Sequence, residues 1–365
     1  MDGCNCLPNL PKMNQAILAK TIVAYTPTDK SFDSYKKLES LGFNVVINKD
    51  SIDPLAFLKQ INKPEEVLCF VGNTFPHPGL TKEIIEKFDN LRLIAKYTIG
   101  YDDIDLDCLS NRGVILTNSP TESSWGGVAE STVTMILSLL KKVRERHLAV
   151  TQNKWRSEDL LGTYLGSRED YEGITLGIIG LGRIGQRVAE LFRPWKIKII
   201  ACDPYLADEV FLAAGVKRVA LKDLLAQSDV ISIHCTLTKE TEHLLSHESF
   251  QLMRPQSILI NTARGKIIDE EALSDALEKN CIASVALDVF EIEPLPRNSK
   301  LRKFSDRALF FPHMTAANAP AALSASVQMV TDSVLKIAKG ELPDHIVNPE
   351  VIQLWQNKYQ NQSIF

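Results

Sequence analysis

No apolar run in these 365 residues approaches the ~20 needed to span a bilayer. The first twenty residues carry no continuous apolar stretch either, so neither a membrane span nor a secretory leader is expected. A surplus of one charge is missing as well. With 41 Lys and Arg against 45 Asp and Glu, the net charge is −4, and the pI is ≈ 6.0. That balance gives no electrostatic reason to expect nucleic acid or an anionic membrane as partner. The seven cysteines include no Cys-x-x-Cys pair, and several, such as Cys69 in Val67–Val71, fall inside apolar runs. They read as small buried residues of a reducing, cytoplasmic compartment. Cys4 and Cys6 lie in a polar, Pro-containing stretch with no cluster of His or Cys beside them, so no metal site is expected. Internal repeats and low-complexity tracts are absent too.

What is present is the composition of a folded globular protein, 45% hydrophobic and 24% charged. The length suggests two domains. Short apolar, β-branched runs at Thr21–Tyr25, Asn44–Ile47, Val67–Val71, Leu91–Ala95 and Val114–Thr117 alternate with helical spacing at Ser34–Leu41, Pro54–Ile61 and Lys82–Phe88. Strands that alternate with helices predict parallel pairing and an α/β domain. A long apolar-faced helix is expected from about Gly127 to Val150, with Gly126-Gly127 as a breaker and hinge ahead of it. Arg156–Glu172 is polar and Gly-containing and reads as a surface excursion. A second α/β series begins at Ile174, with strands expected at Ile174–Ile179, Lys198–Cys202, Val230–His234, Ser257–Ile260 and Ser284–Leu287. A last helix is expected over Ala317–Gly340, opening on Asn318-Ala-Pro320 and stopped by Gly340. It is too short to be a domain, and packing it back on the first domain would make the middle portion an insertion.

The strand Ile174–Ile179 runs directly into Gly180-Leu-Gly-Arg-Ile-Gly185, and a helix follows up to Pro194. A Gly-x-Gly-x-x-Gly loop between strand and helix, with the acidic Asp203 ending the next strand, is the pattern of a dinucleotide-binding βαβ unit. Gly180 permits the tight turn, Gly182 lets backbone approach a pyrophosphate, and Gly185 allows close helix–strand packing. Asp203 can accept hydrogen bonds from both ribose hydroxyls and would repel a 2′-phosphate, so NAD is favoured over NADP. Further on, four polar residues fall at or near predicted strand ends: Arg264 in Asn261-Thr-Ala-Arg-Gly265, Asp288 and Glu293 in Ala286-Leu-Asp-Val-Phe-Glu-Ile-Glu-Pro294, and His313 in Phe311-Pro-His-Met314. Ligands of open α/β sheets bind at the carboxyl ends of the strands, so these positions are placed to converge on a nicotinamide. Reduction of a 2-keto acid needs a proton and a cationic clamp beside the hydride donor. Arg264 suits the clamp, because its planar fork can bind carboxylate and carbonyl oxygens together. His313 suits the proton, and Glu293 paired with it would stabilise the imidazolium. His234 ends a strand and either lines the adenine side or packs there.

These motifs, with Gly100-Tyr-Asp-Asp-Ile-Asp105 upstream, resemble the D-isomer-specific 2-hydroxyacid dehydrogenase family over roughly Thr21 to Pro349. The resemblance implies two doubly wound parallel sheets, with a Rossmann NAD-binding domain (126–318) inserted in a flavodoxin-like substrate domain (1–125 and 319–365). It also implies that Gly180, Gly182, Arg183, Ile184, Gly185, Asp203, Thr262 and Asp288 hold NAD, with Asp288 at the nicotinamide end. Backbone N–H groups at Ile99 and Gly100 would meet the substrate carboxylate together with Arg264. It implies a homodimer, for which the long helix is a candidate arm. Within the family, Lys96-Tyr-Thr-Ile-Gly-Tyr101 resembles the substrate loop of glyoxylate and hydroxypyruvate reductases. A 3-phosphoglycerate dehydrogenase would want a basic group after Val71, where this chain has Gly72-Asn-Thr-Phe-Pro76, and some of those enzymes carry a regulatory domain for which the chain is expected to be too short. A non-catalytic NAD-sensing protein, in the manner of co-repressors of this fold, is the alternative of another class. Trp125 at the hinge and the long Leu161–Asp170 connection depart from the family pattern.

Overall fold

The computed structural model describes residues 20–50, 52–316 and 320–365. Cys4, Cys6 and the Asn318-Ala319 opening of the last helix therefore lie outside the described residues. The chain divides into two compact units, one from the described residues up to Ser119 together with Val327–Phe365, the other Pro120–Ser326.

The first unit holds a sheet of β1 (Thr21–Ala24), β2 (Asn44–Ile47), β3 (Val67–Gly72), β4 (Leu93–Lys96) and β5 (Ile115–Thr117). The order is β2-β1-β3-β4-β5 and every pairing is parallel. Helices cover both faces, which is why the strands read as continuous apolar runs and not as alternating ones. Ile22, Ala24, Cys69, Val71, Leu93 and Ala95 pack on one side with Val330, Val334, Ile337 and Trp355. Val23, Phe70, Ile94 and Leu116 pack on the other with Leu58, Ile85 and Leu109. β4 begins two residues later than its apolar run suggested and ends one residue later, on Lys96, a charged residue that is nonetheless wholly buried.

The second unit holds β6 (Thr175–Ile179), β7 (Lys198–Cys202), β8 (Lys217–Arg218), β9 (Val230–Ile233), β10 (Ile258–Asn261), β11 (Ser284–Leu287) and β12 (Ala308–Phe310). They form one parallel sheet in the order β12-β11-β10-β9-β6-β7-β8. This is the Rossmann arrangement, whose order reverses between β6 and β9. Two of these strands fall outside the sequence expectation, one for want of an apolar pattern and the other for its shortness. β8 is a two-residue exposed pair of basic residues, and β12 is three residues long.

Gly126-Gly127 is not a breaker. The helix begins at Glu122 and runs through both glycines to Leu140. A mid-helix glycine costs about 1 kcal/mol relative to alanine, and burial of Val128, Ala129, Thr132, Met135, Ile136 and Leu140 on the same helix offsets it. Trp125 sits half-buried in its first turns. The break comes later, at Lys142 with φ 51°, after which a separate helix spans Val143–Thr151. Arg156–Glu172 is irregular as expected, but it is more than a surface excursion, because Leu165 is 1% exposed and belongs to the second unit's core.

Candidate active site

The glycine loop behaves as its residue types require. Gly180 has φ +89°, and a Cβ there would stand 2.5 Å from the Cys235 nitrogen. A Cβ at Gly185 would stand 2.3 Å from the Gly180 carbonyl oxygen, so strand and helix touch at that point. A Cβ at Gly182 would meet nothing within 4 Å beyond its immediate chain neighbours, so the space there is open. It caps the helix Arg183–Phe192, whose first turn (Arg183 and Ile184) leaves its N–H groups facing that open space. A pyrophosphate fits there, where free donors and the positive end of the helix dipole coincide. Asp203 follows β7 and is held by two main-chain donors, Leu181 N to Oδ2 (2.9 Å) and Tyr205 N to Oδ1 (3.0 Å). Each carboxylate oxygen keeps a further lone pair for a ribose hydroxyl. Beside Gly180, burial pushes His234 down to about 3, so its ring is neutral. Its Nε2 meets Ser232 Oγ at 2.8 Å, and its Nδ1 is buried with no partner among the described residues.

Arg264, Glu293, Asp288 and His313 all stand past the carboxyl ends of β10, β11 and β12. The turn after β10 is tied by Asn261, which is fully buried. Its Oδ1 accepts from Ala263 N (3.0 Å) and its Nδ2 donates to the Arg264 carbonyl (2.9 Å). Arg264 Nη1 donates to the Ala263 carbonyl at 2.6 Å. At Gly265 the backbone lies directly against the next loop, since a Cβ would fall 1.9 Å from the Phe290 carbonyl carbon. That neighbouring loop presents Glu293. Its Oε1 accepts from Phe290 N (3.0 Å), and its Oε2 lies 2.7 Å from His313 Nδ1. Behind it, Glu270 N donates to Glu291 Oε1 (2.9 Å) and Glu291 N to Glu270 Oε1 (2.7 Å), which fastens the turn to the helix Glu270–Glu278.

His313 has φ +53°, in the left-handed region that a β-carbon resists. The bonds that hold it there come from Asp288, a fully buried carboxylate. Oδ1 accepts from Met314 N (2.9 Å), and Oδ2 accepts from Thr315 N (3.1 Å) and Thr315 Oγ1 (2.6 Å). Ring burial disfavours the imidazolium, yet the hydrogen bond and charge of Glu293 outweigh it, so His313 is held above the ordinary histidine value. With Nδ1 on the carboxylate, Nε2 is the nitrogen that can exchange a proton outward. Thr262 is buried, its hydroxyl 3.0 Å from that of Thr132.

The first unit carries the other two named positions. Ile99 and Gly100 sit in the loop after β4 and are half-exposed. The carbonyls of that loop are occupied, Thr98 O by Ser119 N (3.1 Å) and Ile99 O by Asn118 Nδ2 (2.8 Å). Their own N–H groups have no acceptor among the described residues. Asn261 and Thr315 went unassigned at the level of sequence. Both are short polar residues beside a site motif, and only their main-chain partners distinguish them from ordinary loop residues.

Comparison with known proteins agrees with this fold. Residues 133–315 match the family described as D-isomer specific 2-hydroxyacid dehydrogenase, NAD binding domain. The chain is 34% identical over 298 residues to a glyoxylate reductase of Thermofilum pendens, covering 81% of this chain and 85% of that protein. It is 35% identical to a D-3-phosphoglycerate dehydrogenase of Methanocaldococcus jannaschii, covering 87% of this chain but 57% of that longer protein. Among solved structures, an NAD-dependent formate dehydrogenase from Staphylococcus aureus in complex with NAD superposes with a TM-score of 0.77 at 27% identity, over 90% of this chain and 98% of that one.

Proposed function

The chain belongs to the D-isomer specific 2-hydroxyacid dehydrogenase family, an NAD-dependent oxidoreductase of CH–OH donors, and from that premise we propose that it reduces a small unphosphorylated 2-keto acid, glyoxylate or hydroxypyruvate, to the D-2-hydroxy acid. The observation that carries this reading is the 2.7 Å contact of His313 Nδ1 with Glu293 Oε2, beside the loop that carries Arg264.

The second unit is the NAD-binding domain and the first the substrate domain. When bound, NAD(H) supplies or takes up the hydride. His313 holds a proton on Nε2 and delivers it to the oxygen that becomes the hydroxyl, and Glu293 holds the imidazolium form. Arg264 takes the carboxylate and carbonyl oxygens, and the Ile99 and Gly100 amides take the carboxylate. Asp288 orients the nicotinamide side through the His313 loop that it grips. Glyoxylate reductases are prominent among the relatives. The stretch Gly72–Pro76 at the end of β3 offers no cation for a substrate phosphate, and its Phe75 is buried in a stack on Tyr25 with ring centroids 4.1 Å apart.

A panel of glyoxylate, hydroxypyruvate, pyruvate and 3-phosphohydroxypyruvate with NADH tests this. Turnover of the first two is expected, whereas NADH binding with no turnover of any would replace the enzyme with a nucleotide sensor. Asp203→Ala should weaken NADH at least tenfold, since a hydrogen bond to a charged group contributes about 1.5–3 kcal/mol, while NADPH affinity should fall less or rise. Equal losses in titrations with the two cofactors would remove the discrimination from Asp203.

A homodimer and a cytoplasmic location complete the proposal. Trp155 and Leu161 are each 70% exposed, and Val143, Val150 and Tyr164 lie more than half-exposed along the same segment, an apolar surface that a second copy would cover. The described cysteines are all free, as a reducing compartment leaves them.

A further inference from the structure

β4 ends on a lysine whose side chain is 0% exposed, and its ammonium is paired with Asp103, itself 10% exposed. The two residues bracket the loop Tyr97–Asp102. A buried cation is rarely retained without a partner and a purpose, because desolvation works against it. Here the partner does more than cancel charge. The second oxygen of Asp103 accepts from Phe75 N at 2.6 Å, in the loop after β3. The Asp103 carbonyl accepts from Leu80 N at 2.7 Å, and Gly79 (φ +87°) approaches that carbonyl so closely that a Cβ would stand 2.5 Å from it. The start of the loop is fixed as well, by Ser119 Oγ on the Lys96 carbonyl (2.8 Å) and by Tyr97 N on the Gly72 carbonyl (2.9 Å). The ion pair thus closes the loop at its base.

We propose that Lys96 and Asp103 are positioning residues: their buried ion pair closes the Tyr97–Asp102 loop and ties it to the loop after β3, so that the Ile99 and Gly100 amides point together at the substrate carboxylate. This rests on the reading that those amides bind substrate. The pair touches neither substrate nor cofactor, and it acts on the first unit alone. Its loss therefore raises KM for the keto acid and leaves NADH binding, a property of the second unit, intact.

The test compares Lys96→Met, Asp103→Asn and the double variant by keto-acid kinetics, NADH fluorescence titration and thermal melting. Each single variant strands a buried group and is expected to melt earlier or fail to fold. The double variant buries no unpaired charge and is expected to recover most of the wild-type Tm. Its KM for glyoxylate or hydroxypyruvate should nonetheless stay at least tenfold raised, with kcat changed less than threefold and the NADH Kd unchanged. A double variant with wild-type KM would reduce the pair to charge compensation and overturn the proposal. So would a double variant whose NADH Kd weakens in parallel with KM, or one that fails to fold, because the pair would then support the fold and not the loop. Wild-type enzyme that turns over no keto acid would overturn the substrate reading first, and this assignment with it.

Discussion

His313→Ala is expected to lower kcat for keto-acid reduction by about 10²–10⁴-fold, the range that a positioned general acid contributes, with the NADH Kd nearly unchanged. The reason is local. His313 Nδ1 lies 2.7 Å from Glu293 Oε2, and the ring is brought there by a left-handed backbone at residue 313. The pH profile separates the roles of the pair. Burial lowers the proton affinity of His313 while Glu293 raises it by hydrogen bond and by charge, and the net shift is upward. The wild type therefore keeps the imidazolium, and with it the reductive activity, to higher pH than an ordinary histidine would. In Glu293→Gln the burial remains and the charge is gone, so the alkaline limb of kcat for reduction should move to lower pH. The oxidative direction, which needs the neutral ring, should gain at that same pH. An unmoved limb would show that Glu293 does not set the protonation of His313, and full activity in His313→Ala would remove the histidine from proton transfer altogether.

Gly265→Ala is expected to be nearly as damaging, although it adds one carbon and removes no functional group. That carbon would fall 1.9 Å from the Phe290 carbonyl carbon and 2.0 Å from its oxygen. Both are main-chain atoms of a loop fastened by Glu270 and Glu291, so no flexible side chain can yield. The loops of Arg264 and Glu293 must separate by more than an ångström. A displacement of about 1 Å at reacting groups can cost 10²-fold, and overpacking of this kind destabilises by about 1–3 kcal/mol. kcat/KM should drop by about two orders of magnitude while the Tm falls by only a few degrees. Wild-type kinetics in this variant would mean that the two loops are not mechanically coupled.

Much of this was legible in the amino-acid sequence because the residue types were dictated by geometry. Only glycine can take the φ of Gly180 or stand against the carbonyl that faces Gly185, and the strand runs were apolar because helices bury both faces of each sheet. What escaped had no such constraint. β8 is two exposed basic residues paired with the single strand β7, and tertiary packing overrode the helix-breaking tendency of Gly126-Gly127. Leu165 is buried inside a stretch whose composition is that of a loop. In the site, Arg264, Glu293 and His313 stood out by residue type and order. Asn261 and Thr315 did not, because a short polar side chain bonded to main chain is written in the same letters as a solvated one. Lys96 was hidden for the opposite reason, since a lysine at the end of an apolar run reads as the strand's exit to solvent.

Asp288 recognises the chain beyond His313 by its main-chain N–H at residue 314 and by Thr315, and never by the side chain of Met314, which is 59% exposed. The residue next to His313 is thereby released from any duty in holding it. Position 314 is a free variable of this scaffold. Exchange of its side chain leaves the main-chain grip of Asp288, and with it the His313–Glu293 pair, where it is.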